Sequence, residues 1–282
     1  MKLVGCMSVR NEEWVLGLSA RVALQWCDAL VILLHECTDR SGEIAQEIDR
    51  EHGSARVRLL VESGYWDEMR HRQRMLDAAR KMGATHIAIV DADEIMTANV
   101  VPEIRGHIEV MPRGSMMHVP LFNLRHGLHQ YHANGMWGNR WLSLAFVDEP
   151  RLNWQGDQFH HREPFGRALT PFRPFGHWLG GVMHLWGSDE RRLAAKHSAY
   201  KVTERLRWPQ RCCCEIERQY NMWRDFPGSG WRFDAVPAEW WGARDLSAIR
   251  LTDTPWQEDF VRRLVAEHGA ERFAGLDLFG VV

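Results

Sequence analysis

The residues with the most chemical potential stand together in Ile89-Val-Asp91-Ala-Asp93-Glu94. Two carboxylates one residue apart, where an apolar strand runs out into a loop, can face one cation. Hard oxygen ligands suit Mg²⁺ or Mn²⁺, which bridge a protein to phosphates. An isolated Asp-x-Asp can equally cap a turn, so its placement has to decide. Arg70-His-Arg72-Gln73-Arg74 is a second candidate, because guanidinium is a bidentate partner for phosphate. Helical spacing puts Arg70 and Arg74 on one face and Arg72 on another, and Asp67, Glu68 and Asp77 also fit a solvated helix. His184 lies in Gly180-Gly-Val-Met-His-Leu-Trp186, a short strand emerging from a glycine hinge, where an imidazole could complete an Asp/His metal site. From Arg191 to Arg211 the chain carries Arg191, Arg192, Lys196, Lys201, Arg205, Arg207 and Arg211 against Glu204. That run is either a solvated basic helix face or the frame of a site for a polyanion.

These residues need elements to position them. Leu3–Val9 is a short apolar segment. Trp14, Leu18, Val22 and Trp26 recur every four residues, as one face of a helix does. Ala29–Leu34 is an uninterrupted apolar run, the pattern of a strand covered on both faces. A helix is expected over Glu43–Glu51, a strand over Val57–Val61, and a helix over Asp67–Met82 closed by Gly83. His86–Val90 is a fourth strand that delivers Asp91 at its carboxyl end. Strands separated by such helices predict a mostly parallel sheet with helices on both faces, and ligands bind beyond the carboxyl ends of such strands. Arg10-Asn11-Glu12, His35 to Asp39, and Asp91 to Glu94 all fall there. Further on, strands are expected at Ser115–Leu121 and Trp141–Val147, and helices at Glu190–Leu206 and Gln257–His268.

Length and composition bound the class. The 282 residues carry 35 Lys+Arg and 37 Asp+Glu, are 45% hydrophobic, and include 14 Trp and 15 His. This excludes disordered and fibrous chains and argues against coating nucleic acid through bulk charge. No apolar run reaches the ~20 residues that cross a bilayer. With no signal-peptide core at the N-terminus, the expectation is a cytoplasmic protein. Cys212, Cys213 and Cys214 are consecutive, and Cys6, Cys27 and Cys37 lie in or beside core elements, so free thiols are expected. There is no G-x-S-x-G, Walker loop or G-x-G-x-x-G, which leaves metal-assisted transfer involving a diphosphate.

The motifs together resemble the N-terminal half of family 2 glycosyltransferases, which have the GT-A fold. The similarity runs through Cys6-Met-Ser-Val-Arg-Asn-Glu-Glu13, Leu33-Leu-His-Glu-Cys-Thr-Asp39, Trp66 to Leu76 and Ile89 to Glu94. It continues through His184-Leu-Trp, Arg191, Lys196 and Tyr200. The resemblance implies an inverting transfer of a sugar from a nucleoside-diphosphate donor. Under it Glu12 reaches the nucleoside, Arg72-Gln73 lies in the donor pocket, Asp91 and Asp93 hold ribose and metal (Mn²⁺ or Mg²⁺), and His184 completes the metal site. Leu34 and His35 stand where two carboxylates often read the base, leaving His35, Glu36 or Asp39 for that role. Asp157 is the first candidate for the catalytic base, with Glu149 and Glu163 behind it.

The resulting expectation is a Rossmann-like GT-A domain over 1–207, with a donor-binding half to about 115 and an acceptor half over 116–207. A C-terminal helical extension follows over 208–282. The acceptor is open: a glycan, a lipid-linked sugar, a protein or a modified nucleic acid. Two rivals stand beside this reading, a nucleotidyltransferase of similar fold and a non-catalytic carbohydrate- or nucleic-acid-binding module.

Overall fold

The apolar runs become the first half of a sheet. In the computed structural model, which describes residues 1–222 and 228–282, β1 (Leu3–Val9), β2 (Ala29–His35), β3 (Val57–Glu62) and β4 (His86–Ile89) pair in parallel in the order β3-β2-β1-β4. β2 is buried along its whole length, as its continuous apolar sequence requires. α1 (Leu16–Trp26), α2 (Ser41–His52) and α3 (Glu68–Lys81) connect these strands.

Strand side chains alternate between faces, and the core shows it. Val4, Cys6, Val31, Leu33, Ile87 and Ile89 pack with Met69, Met75, Leu76 and Ala79 of α3. The alternate residues Met7, Leu30 and Ile32 are fully buried as well, on the face that α1 and α2 cover. α3 begins where the Asp67 carboxylate accepts the Arg70 N–H at 3.0 Å, and Gly83 follows it at φ 81°, a left-handed turn that suits glycine.

Beyond β4 the pairing reverses. β5 (Glu94–Met96) and α4 (Val101–Glu109) follow the acidic loop, and β6 (Ser115–Asn123) comes next. β7 (Gln130–His132) precedes β8 (Arg140–Val147), which runs antiparallel to both β4 and β6. β9 (Thr170–Phe172) lies parallel to β6, and β10 (Val182–His184) is antiparallel to β5. The whole order is β3-β2-β1-β4-β8-β6-β10-β5. The chain is thus α/β with a Rossmann-like parallel half. Its strand order reverses between β1 and β4, the kind of switch point at which such sheets open a crevice.

The chain groups into two units. Met1–Phe122, Asn139–His184 and Pro237–Arg250 form the first, which holds the sheet. Asn123–Gly138, Leu185–Val236 and Leu251–Val282 form the second. In the second, α5 (Glu190–Arg207), α6 (Cys213–Tyr220) and α8 (Trp256–His268) dominate, with β11 (Phe233–Ala235) paired to β7; α7 (Ala238–Trp241) belongs to the first. Ala195, Ala199 and Val202 of α5 share one apolar cluster with Val261 and Val265 of α8.

Two expectations change in this second unit. Cys212 and Cys214 are joined by a disulfide, with Cα atoms 5.3 Å apart. Cys212 is still extended as the residue before α6 while the next two are helical, so the chain turns between them and brings alternate thiols together. Cys6, Cys27, Cys37 and Cys213 are free. The basic run is also largely occupied within the unit. Arg191 pairs with Glu258 at 2.5 Å, Lys201 is fully buried against Glu217 at 2.8 Å, and Arg211 pairs with Glu204. Arg192 and Arg205 donate to backbone carbonyls. The run therefore holds helices together instead of facing outward as one basic surface. Among the described residues no helix is long and apolar enough to cross a membrane.

Candidate functional site

The loops after β1 and β2 are built as one piece. Asn11 takes φ 54°, a left-handed conformation that Asn tolerates better than most residues. Its Oδ1 accepts the Thr38 N–H at 2.7 Å and the Asp39 N–H at 3.3 Å, while its Nδ2 donates to Thr38 Oγ1 at 3.2 Å. Asp39 returns the link, accepting from Glu13 N at 3.0 Å and Ser41 N at 2.9 Å. Both Asp39 oxygens are thereby engaged in shaping the loop. Glu12 donates its N–H to Ser41 Oγ at 2.8 Å, and its carboxylate accepts from the Trp14 indole at 2.6 Å.

Beside these loops lies a cluster of rings. His35 is fully buried and its Nε2 lies 3.0 Å from the Gly64 carbonyl. Its ring is 5.1 Å from Trp66 and 4.8 Å from His71. Burial is the main force that holds the His71 imidazole down to about 4, with His35 and Arg70 adding to it.

α3 sorts its arginines as the spacing predicts. Arg70 and Arg74 both reach Glu62 at the end of β3, Arg70 at 2.9 Å. Arg72 turns the other way, is 7% exposed, pairs with Glu68 at 3.0 Å and faces Asp91 Oδ1 at 3.8 Å.

The acidic loop after β4 carries a partner that sequence reasoning missed. Arg162 donates through Nη1 to Asp91 Oδ2 at 2.7 Å and Glu94 Oε1 at 2.9 Å. Its Nη2 reaches the Ile89 carbonyl at 2.7 Å and Glu94 Oε2 at 3.1 Å, and its Nε reaches the Ser143 carbonyl at 3.2 Å. Burial raises the Asp91 carboxyl, but Arg162 and then Arg72 outweigh it and leave the group below its ordinary value. Glu94 is 4% exposed, and burial lifts it above its ordinary value despite Arg162. No spacing rule connects residues 71 apart, so nothing local could have named this pair. The segment that bears Arg162 is fastened to α3 as well: the His160 N–H donates to Glu68 Oε2 at 2.9 Å.

Asp93 and His184 also meet. β10 pairs with β5 so that His184 lies opposite Glu94, and His184 Nε2 comes within 3.6 Å of Asp93 Oδ1. Asp93 is 5% exposed. Among the described residues no three His, Cys, Asp or Glu side chains group so as to hold a metal ion. The chain offers a close Asp/His pair, while Asp91 is held by Arg162.

The three candidate bases separate clearly. Asp157 is exposed in the loop that follows Gly156. Glu149 pairs with Arg151 and Arg167 at 3.2 and 3.1 Å. It follows Asp148, whose N–H bonds the Thr85 carbonyl at 3.0 Å just before β4, so it lies at the opposite strand end from Asp91. Glu163 sits next to Arg162 and accepts from Ser143 Oγ at 2.8 Å, with His118 Nε2 at 3.3 Å.

No family model matches the chain, and no curated protein sequence matches it. Among solved structures it is similar to Staphylococcus aureus TarS, at 10% identity over 72% of this chain and 40% of that one, with a TM-score of 0.46. It is similar to GalNAc-T7 with UDP, GalNAc and Mn²⁺, at 10% identity over 78% and 54%, with a TM-score of 0.40. A third is glucosyl-3-phosphoglycerate synthase from Mycobacterium tuberculosis with Mg²⁺ and UDP, at 16% identity over 43% of each chain, with a TM-score of 0.31. In each case the chain spans less than two thirds of the solved structure. At these scores no residue role or substrate passes from them to this chain.

Proposed function

We propose that the first unit is a metal-assisted glycosyltransferase that moves a sugar, with inversion, from a nucleoside-diphosphate donor to an acceptor hydroxyl. The observation that carries this reading is the pairing of parallel strands β2, β1 and β4, which sets two groups at their carboxyl ends by the β1/β4 switch point: Asn11 to Glu13 with Asp39, and Asp91 to Glu94 with Arg72, Arg162 and His184. Such a crevice receives nucleotides in α/β sheets.

Each group has a part in this account. Glu12, oriented by Trp14, faces the nucleoside, while Asp39 shapes the loop around it. Asp91 stays ionised between Arg162 and Arg72, and its second oxygen accepts from the donor's ribose. Arg72 contributes positive charge on the diphosphate side. The donor set at Asp93 and His184 suits Mg²⁺ or Mn²⁺, which are commonly held by one or two carboxylates together with phosphate oxygens and water. Such an ion, when bound, offsets charge on the diphosphate. Asp91 falls outside that set because Arg162 occupies it. A sugar–diphosphate bond already has a good leaving group, so a carboxylate that takes the acceptor's proton suffices. The segment carrying Asp157 and Glu163 supplies it.

The test is turnover of a panel of UDP-, GDP-, CDP- and dTDP-sugars, with the anomeric proton of the product read by NMR. Release of one nucleoside diphosphate and an inverted product would support the reading. Release of pyrophosphate from a nucleoside triphosphate would replace it with nucleotidyl transfer, and folded protein that turns over neither would leave a binding module.

A further inference from the structure

Resting on the transferase reading, we propose that Glu163 is the group that takes the proton of the acceptor hydroxyl, with His118 as its positioning partner. The sheet itself places the pair. Between β6 and β8, Met117 stands opposite Ala145 and His118 opposite Ser143, so Leu144 is an extra residue at a bulge. A bulge re-aims side chains. Here Ser143 receives Arg162 on its carbonyl and donates from its hydroxyl to Glu163 Oε1 at 2.8 Å. One strand residue thus sets two consecutive charged residues of the 153–165 segment, sending Arg162 to the acidic loop and Glu163 to His118.

The geometry leaves Glu163 equipped for the task. Oε1 accepts from the Ser143 hydroxyl at 2.8 Å, and His118 Nε2 stands 3.3 Å from it as an ion-pair partner when protonated. Oε2 has no partner among the described residues, and the side chain is 42% exposed. The other acids near Asp91 are less suited. Glu94 is buried beneath Arg162, Asp91 is held by two arginines, and Glu149 lies at the far strand end. In the step, the acceptor O–H gives its proton to Glu163 Oε2 while its oxygen bonds the anomeric carbon. The anomeric C–O bond to the diphosphate breaks, and its electron pair leaves with the nucleoside diphosphate. His118 is the first influence holding the Glu163 carboxyl below its ordinary value, against burial, with Ser143 and His161 also facing it. Glu163 therefore stays in its base form at neutral pH.

The experiment compares wild type, Glu163→Gln, Asp157→Asn and His118→Gln, with UDP-glucose and UDP-N-acetylglucosamine as donors. Water and methyl glycosides serve as acceptors; UDP binding is measured by calorimetry for each protein, and GDP, CDP and dTDP binding for wild type. A positioned base contributes about 10²–10⁴ in rate, so Glu163→Gln should lose at least a hundredfold in UDP release with UDP affinity unchanged. A loss of about a hundredfold in Asp157→Asn in place of Glu163→Gln would overturn the proposal and give the role to Asp157. His118→Gln should move the acidic limb of the rate–pH profile to higher pH, because the carboxyl loses the partner that lowers it. A Glu163→Gln enzyme within threefold of wild type would overturn the proposal, and so would a wild type that binds UDP yet turns over with neither water nor glycosides. A wild type that binds no nucleotide would instead refute the transferase reading on which the proposal rests.

Discussion

Replacing Arg162 by Met removes the guanidinium that ties the acidic loop to the 153–165 segment while keeping an apolar stem of similar length. The side chain makes hydrogen bonds to Asp91, Glu94, Ile89 and Ser143. The largest cost falls on Glu94, which is 4% exposed and would lose its cation. Stripping one partner from a buried ion pair costs roughly 3–5 kcal/mol. Asp91, at 33% side-chain exposure, adds little because water can screen it. For a chain of this size each kcal/mol moves the midpoint by about 2 °C, so Arg162→Met should melt roughly 6–10 °C lower at pH 8. The pH dependence gives a sharper check. Burial already raises the Glu94 carboxyl above its ordinary value despite Arg162, and losing Arg162 raises it further. A carboxyl whose folded value exceeds its unfolded value contributes stability below the unfolded value and loses it as pH rises through the folded one. The deficit of the variant should therefore be largest at pH 8 and shrink toward pH 5. Thermal melts across that range, with Arg162→Lys as a second variant, read both effects. A variant that melts within about 1 °C of wild type, or a deficit that grows on acidification, would refute this account of the loop.

Other outcomes follow from the same structure. His71 is held down to about 4 from an unfolded value near 6.5, so its neutral form stabilises the fold above pH 6.5. That contribution, up to about 3 kcal/mol, is lost as pH falls toward 4; His71→Phe should flatten the fall in melting temperature over this interval, and an unchanged slope would contradict it. A fragment of residues 1–207 would lack Pro237–Arg250 of the first unit and leave the α5 side of its shared cluster uncovered. It should aggregate when expressed alone, whereas a soluble fragment with a cooperative melt would support a domain boundary at 207/208.

Much of the parallel half was legible because its signals are local. The run Ala29–Leu34 is a buried strand, and Asp67 with Gly83 brackets α3, much as read. Asp91 at the end of β4 and the opposed faces of Arg70 and Arg72 were likewise visible. β5, β9 and β10 are three residues each, too short for periodicity to mark by itself; β10 was expected only from its glycine hinge. Arg162 was invisible for a different reason: its meaning comes from Asp91 and Glu94, far away in sequence and joined to it only by the sheet. The basic run misled because charge counting cannot show that Glu258 and Glu217, from beyond the run, return to meet it.

The central claim is that the strand ends around Asp91 and Asp93 receive a nucleoside diphosphate. Calorimetric titration of wild type and Asp93→Ala with UDP, GDP, CDP and dTDP, with and without Mn²⁺, tests it most directly. The account predicts that one nucleotide binds, that Mn²⁺ strengthens it, and that Asp93→Ala abolishes the Mn²⁺-dependent part. Absence of binding to all four in folded protein would contradict it.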